Sequence, residues 1–392
     1  MAVSFGMGSL SKHSSFPRKR ESSPSAAHFQ WLAEWIPAFA GMTVPGSARV
    51  LQMTPLPGKE FSSLADPFRV SILLKHNGLP MITLFSTQVG SRLRIAEKTL
   101  LAFFAALFIA SLTLSLPGTT LGVLAGLNVI VGCLIVALSK DDLVGRSRMA
   151  SPIRDWLPTL LMLLAYRESG LFIKADPAHR LDHLFIMWDR TMLHSRWVEW
   201  ALYSCAPWVQ HYLEMCYLLC YPLVPLGFAA LYLARTSITA QREPRGSSLV
   251  ADLYREPLHA AVVFDRFWTA VLLASLFCYA VYPFFPLTPP RLLFNDVPGP
   301  TVPLLLRNMN LWVLDRFSVQ VCLFPSAHAA AVTATALAVR AYRPRLGILF
   351  CIAALSIAAA TVYGRYHYMA DAVAGVLVGV VAFVVARRIH KA

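Results

Sequence analysis

Residues 324–388 read FPSAHAAAVTATALAVRAYRPRLGILFCIAALSIAAATVYGRYHYMADAVAGVLVGVVAFVVARR. Three apolar runs fill this stretch, over 326–341, 346–363 and 371–387. Runs near 20 apolar residues cross the hydrocarbon core of a bilayer as helices. The first run is short and opens directly after Pro325, a favourable place for a helix to begin. Further apolar runs lie upstream, over 98–116, 119–138, 153–170, 212–234 and 267–286, the third with Pro158 inside it. The expected fold is all-α and integral to the membrane, with about eight transmembrane helices.

Composition agrees. The 392 residues are 56% hydrophobic and only 14% charged, whereas soluble domains are about 45–50% apolar and about 25% charged. The net charge of +14 would suit nucleic acid, but the Arg and Lys residues cluster between apolar runs. That placement fits topology signals and lipid headgroup contacts, and no nucleic-acid partner is expected. The seven cysteines are scattered at 133, 205, 216, 220, 278, 322 and 351, without zinc spacing, and read as small buried hydrophobes. Cys205 and Cys322 both fall on one expected face, where a disulfide between them is an option.

Four basic segments orient the chain. They are Lys140 to Arg154, Arg235 to Arg266, Arg340 to Arg345, and the tail from Arg387 to Lys391. With eight spans all four fall on one side, the cytoplasm, together with both termini. The other side then receives 171–211, 287–325 and 364–370. The 171–211 segment holds Trp188, Trp197, Trp200 and Trp208, and reads as interfacial helix. Its His179, His183, His194 and His211 read as interfacial polar contacts in preference to metal ligands. Residues 1–80 carry Pro, Ser and basic clusters without helical period. Their strings FPRKRESS and WIPAFAGMT resemble the read-through of a repetitive element common in bacterial gene models. The expectation is a disordered or artefactual extension, with a start downstream at Met53 or Met81. Residues 81–150 then form two accessory helices, and 151–392 the catalytic membrane domain.

Three polar clusters fall on the far side: Pro289-Pro290-Arg291, Phe324-Pro325-Ser326-Ala327-His328, and the segment from Arg365 to Asp371. His367 and Asp371 are four apart, so a helix puts them on one face. A carboxylate beside an imidazole holds one tautomer and makes the other nitrogen more basic, which prepares a nucleophile or base. Ser326 stands where a helix begins, to cap it or to contact a phosphate oxygen, and His328 follows in the first turn. Arg291 has the fork that grips phosphate bidentately. Each residue alone also fits a bland role, as a helix anchor, a satisfied histidine or a headgroup contact. Together they put a phosphate anchor, an acid and a nucleophile–carboxylate pair on one membrane face.

FPSAHAAA followed some forty residues later by YHYMADAVAG resembles the type 2 phosphatidic acid phosphatase superfamily. Within it, FPS-x-H, HY-x-x-D-x-x-AG, RDWLP at 154–158 and PPR at 289–291 are most similar to the inositolphosphotransferase-like branch, which includes inositol phosphorylceramide synthases. The likeness spans about residues 150–388. It implies a six-helix core and a phosphohistidine mechanism without metal or cofactor. His367 would attack phosphorus, Asp371 would orient it, His328 would move the proton, and Arg291 and Ser326 would hold phosphate. The sequence departs from the family twice. Ala360 and Thr361 stand where the superfamily has Ser-Arg, and the Lys preceding the Arg-Pro motif is absent. Arg365 either takes over the lost phosphate contact or faces headgroups.

The resemblance implies a phospholipid or lipid phosphate substrate in the bacterial inner membrane, with the site on the periplasmic face. One reading is a phosphotransferase passing a phosphate-bearing headgroup to a ceramide- or diacylglycerol-like alcohol. Another is a phosphatase of phosphatidic acid or a prenyl diphosphate. A non-enzymatic transporter is the third, but its polar residues would lie near the bilayer midplane, not at one face.

Overall fold

Every one of the eight predicted runs forms a helix in the structure, a computed structural model. It describes residues 69–71, 86–88, 93–114, 116–144, 149–173, 181–193, 206–235, 249–293, 305–319 and 321–391. The chain divides into two units, Met1–Ala65 and Asp66–Ala392, and the first lies outside the described residues. The predicted N-terminal extension therefore lies almost wholly outside them, as do His179, His194, Trp197, Trp200 and the side chains needed to judge a Cys205–Cys322 disulfide.

The described helices of more than four residues are α1 (Ile95–Ser111), α2 (Gly118–Val144), α3 (Ala150–Ser169), α4 (Asp182–Leu193), α5 (Pro207–Leu233), α6 (Leu249–Val281), α7 (Leu305–Phe317), α8 (Ala327–Tyr342), α9 (Pro344–Tyr363) and α10 (Met369–Ile389). Among the described residues, strands form two antiparallel pairs, β1 (Arg69–Ser71) with β2 (Ser86–Gln88), and β3 (Pro286–Leu287) with β4 (Cys322–Leu323). The second pair draws the end of α6 to the start of α8. Among the described residues, five helices are long and apolar enough to cross a membrane: α2, α5, α6, α9 and α10. Their outer faces are apolar and exposed, with Leu355 at 64% and Leu377 at 59%, as suits side chains that meet lipid. The chain is a multi-pass membrane protein.

The structure moves some boundaries. α6 begins at Leu249, so Arg255 and Arg266 lie on a helix and not in a connection. α2 runs to Val144 and carries Lys140. α7 is a helix within the expected 287–325 connection. Pro158 does not interrupt α3, nor do Pro222 and Pro225 break α5. Neighbouring helices can re-satisfy the backbone that such prolines release.

At the centre stands α8, packed against α5, α6, α9 and α10. Its 16 residues are mostly Ala, Val and Thr, and ten of them are buried. Small side chains let helix backbones approach closely, which is how helices adhere where lipid removes the hydrophobic drive. Gly375 and Gly379 of α10 continue this contact. A Cβ on Gly375 would strike the Ser326 carbonyl and lie 2.9 Å from Ala329 Cβ; one on Gly379 would lie 2.6 Å from the Ala330 carbonyl.

A buried ionic cluster braces the opposite end of the bundle. Arg154 Nε and Nη2 bond Glu97 of α1, and Arg94 Nη1 bonds Asp155 at 2.6 Å. Asp265 of α6 accepts from the Ile95 and Ala96 amides at 3.1 and 2.9 Å, capping α1. The Asp155 carbonyl accepts from Trp268 Nε1 at 2.8 Å. RDWLP thus lies in a cross-brace between α1, α3 and α6.

Replacing Gly375 by Val overpacks the α8–α10 seam and should cost about 1–3 kcal/mol. Thermal unfolding in detergent checks this, and an unchanged melting point would refute the close approach.

Candidate active site

Four short segments meet at one end of the bundle. The N-terminus of α8 is capped by Ser326, whose Oγ accepts from the Ala329 amide at 3.4 Å. The Ser326 amide in turn donates to the Asp371 backbone carbonyl at 3.2 Å, tying the α8 start to the first turn of α10. Ser326 and Asp371 are fully buried.

The loop from α9 to α10 carries the reacting candidates. α9 ends in a Schellman arrangement. The Tyr366 amide donates to the Thr361 carbonyl and the Arg365 amide to the Val362 carbonyl, both at 3.0 Å. The turn residue is Arg365, with φ of +57°. Glycine normally fills this left-handed position, and another residue there costs about 1–3 kcal/mol. The His367 amide also reaches the Thr361 carbonyl, at 3.0 Å. The Thr361 backbone carbonyl thus serves as an anchor for the loop.

Side chains then converge. His367 Nδ1 lies 3.4 Å from Asp371 Oδ2, which also accepts from the Tyr368 amide at 3.2 Å. The His328 ring stands edge-on to His367, with centroids 5.7 Å apart. Tyr221 and Tyr217 flank His328 at 5.6 and 6.0 Å. The Arg291 amide donates to the Arg365 carbonyl at 3.0 Å, so the Pro289-Pro290-Arg291 turn joins the same loop. All six residues singled out in the sequence, Arg291, Ser326, His328, Arg365, His367 and Asp371, thus share one cluster. The N-termini of α8 and α10 both end here, and their dipoles favour an anion. Among the described residues, no group of three His, Cys, Asp or Glu side chains is arranged to hold a metal ion.

Helix α4 is pinned beside this cluster. Asp182 accepts from the Thr288 amide and hydroxyl at 2.7 and 2.6 Å, and Asp189 accepts from the Met369 amide at 2.9 Å. Phe185 packs on Phe324 and Tyr368, with ring centroids 5.2 and 5.6 Å apart. Outside these contacts, α4 and α10 flank a groove of about 330 Å³, lined by Trp188, Met192, Phe324, Val373, Ala374 and Leu377 among others. Of the Trp-rich segment, Trp188 lies on α4 and Trp208 on α5, and His183 and His211 are exposed on these same helices.

The anchors Asp182 and Asp189 were not singled out in the sequence, nor were Glu214, Arg307 and Tyr366. Glu214 of α5 is wholly buried and accepts from Arg307 Nη1 at 2.8 Å, Asn310 Nδ2 at 2.8 Å and the Tyr366 hydroxyl at 2.6 Å. A signal existed for Glu214, since it is the one carboxylate in the 212–234 run and ionisable residues within spans are functional candidates.

The fold and cluster define a multi-pass helical membrane protein with a paired-histidine and carboxylate centre at one end of its bundle. Residues 257–385, a third of the chain, match the family model of the PAP2 superfamily. The match takes in all six residues of the cluster and supports an enzyme of the lipid phosphatase or phosphotransferase kind. No curated protein and no solved structure matches the chain.

Burial pushes the Asp189 carboxyl up to about 7, with the Asp371 charge adding to the rise against the pull of the Met369 amide. A carboxyl raised in the fold favours the protonated state. Its contribution to stability is full below its ordinary range near 4 and is lost as pH rises to about 7. Docking of α4 should therefore loosen between about pH 4 and 7. Asp189→Asn should flatten that dependence in hydrogen exchange of residues 182–193, and an unaltered profile would rule Asp189 out as its source.

Proposed function

We propose that the chain is a membrane phosphotransferase. It moves a phosphate-bearing headgroup from a phospholipid donor to a lipid alcohol, ceramide- or diacylglycerol-like, through a phosphohistidine. The observation that carries this reading is the buried His367–Asp371 pair facing His328 at two helix N-termini.

Asp371 beside Nδ1 keeps that nitrogen protonated and leaves the Nε2 lone pair for phosphorus. Nε2 attacks, the bond from phosphorus to the donor's glyceride oxygen breaks, and His328 delivers a proton to that oxygen. In the second half-reaction His328 takes the proton of the acceptor hydroxyl. The acceptor oxygen then attacks phosphorus and releases His367. Arg291, Arg365, Ser326 and the two helix ends hold the phosphoryl oxygens, in keeping with phosphoryl transfer, where positioning and charge neutralisation do most of the work. The FPSAH and HYMAD strings resemble the inositolphosphotransferase-like branch, which supports an alcohol as acceptor. The groove of about 330 Å³ beside Phe324 and Ala370 suits a lipid chain, since those residues directly precede Pro325-Ser326 and Asp371. Arg340, Arg343, Arg345, Arg387 and Arg388 lie at the helix ends away from the site. That supports a periplasmic site in a bacterial inner membrane, with both termini cytoplasmic.

Water as acceptor gives the second reading, hydrolysis of phosphatidic acid or a prenyl diphosphate. It is favoured by the family match, which reaches the superfamily and not the branch.

Purified protein in EDTA, offered phospholipids, lipid phosphates and a ceramide or diacylglycerol acceptor, should form new phospholipid only when the acceptor is present. Free phosphate without new lipid would make it a phosphatase. His367→Ala and His328→Ala should each lower turnover by about 10²–10⁴-fold while the bundle stays folded. Substantial turnover in His367→Ala would end the covalent mechanism. Arg365→Gly removes the guanidinium while keeping the left-handed turn, so it should raise KM about tenfold without lowering the melting point. An unchanged KM would leave Arg365 facing headgroups. Ala374→Trp, which fills the groove, should cut kcat/KM for dioleoyl substrates by about tenfold and spare dibutyryl analogues. Equal effects on both would remove the groove from the lipid site.

A further inference from the structure

The carboxylate of Glu214 is as enclosed as that of Asp371, and the proposed chemistry does not use it. It sits on α5, within a helix long and apolar enough to span the membrane, yet its side chain is 0% exposed. Its partners come from two other places in the fold. Arg307 and Asn310 project from α7, and the Tyr366 hydroxyl comes from the α9–α10 loop. Asn310 Nδ2 also bonds the Glu214 backbone carbonyl at 2.9 Å, which fixes α7 against α5.

Arg307 makes a second connection. Its Nη1 and Nη2 donate to the Gly364 carbonyl, both at 3.4 Å, and its guanidinium carbon lies 5.6 Å from the Tyr366 ring centre. The Glu214–Arg307 pair therefore grips the loop twice, at Gly364 and at Tyr366. Those two residues bracket Arg365, the residue forced to φ of +57°, and Tyr366 directly precedes His367. A left-handed arginine persists only where its surroundings over-determine it. The grip leaves little slack, because a Cβ on Gly364 would fall 2.6 Å from Tyr366 Cδ2. The Tyr366 ring also stacks on Tyr217, with centroids 3.8 Å apart, and Tyr217 is one of the two tyrosine rings packed on His328. One buried carboxylate is thus joined, through single contacts, to the neighbours of both histidines.

We propose that Glu214, paired with Arg307, is a positioning residue that holds Tyr366 and the strained 364–367 loop so that His367 faces His328. It touches no substrate and acts through the loop. The proposal rests on the reading of His367 as the nucleophile, but its test does not depend on knowing the substrate.

Tyr366→Phe removes one hydroxyl and keeps the ring stack, so it is the mild probe; Glu214→Gln is the second. Full-length protein is treated with diethyl pyrocarbonate, and acylation of each histidine is timed by mass spectrometry. The exposed His183 and His211 serve as internal references. Both variants should change the His367 rate relative to His183 by about fivefold or more, and the double variant should add little to either. With a turned-over lipid, kcat should fall about 10- to 100-fold while KM stays within about twofold, the mark of misplaced reacting groups. The melting point of Tyr366→Phe should stay within about 4 °C of the parent. An unchanged His367 rate in Tyr366→Phe overturns the proposal, and so does a loss of melting temperature with His367 reactivity and kcat intact. If the unaltered protein turns over no lipid phosphate, the proposed function fails, yet the acylation rates still decide whether Glu214 sets the histidine loop.

Discussion

The close approach of α10 to α8 governs everything at the site. Gly375 leaves room for the α10 backbone to rest against the Ser326 carbonyl, and the Ser326 amide then reaches the Asp371 carbonyl at 3.2 Å. Without that contact the two N-termini would not align, and His328 on one helix would not meet His367 beside the other. The small residues of α8 are therefore more than filler. They fix the distance between the two halves of the cluster, as small-residue seams do in membrane bundles.

Much of this architecture was legible in the sequence because a bilayer imposes length and polarity rules on single segments. The runs at 326–341, 346–363 and 371–387 became α8, α9 and α10 with ends shifted by a few residues. His367 and Asp371 were readable as a pair because their relation is local, four residues along one helix start. α7 was not readable as a helix. Its Leu305–Phe317 sequence carries Arg307, Asn308, Asn310, Asp315 and Arg316, which deny it the signature of a span. The partners of Glu214 lie 93, 96 and 152 residues away along the chain. No periodicity in one segment announces such contacts, and they emerge only when the bundle closes.

The two conspicuous arginine motifs part company in the structure. Arg154 and Asp155 are consumed in buried bonds with Glu97 and Arg94, at the end of the bundle away from the histidines. Pairing there is obligatory, since a buried charge without its partner costs several kcal/mol. Arg291 instead lies at the cluster, its amide bonded to the Arg365 carbonyl. Proximity in a family-like pattern therefore says little about shared work. Arg154 and Asp155 brace α1 and α3 against α6, and Arg291 borders the site.

Arg365 shows that the fold accepts backbone strain at one position of the loop. A glycine at the left-handed turn would remove about 1 kcal/mol of strain, and the Schellman hydrogen bonds would survive it. The Thr361 carbonyl accepts from both the Tyr366 and the His367 amides. The left-handed Arg365 and the Thr361 carbonyl together set the path of the loop. Such a turn requires a loop held firmly by its surroundings. A helix C-terminus facing only lipid and water could not provide such a hold, whereas a buried Glu214 with Arg307 at its side can. The strained turn at Arg365 and the buried carboxylate on α5 thus become two parts of one physical arrangement.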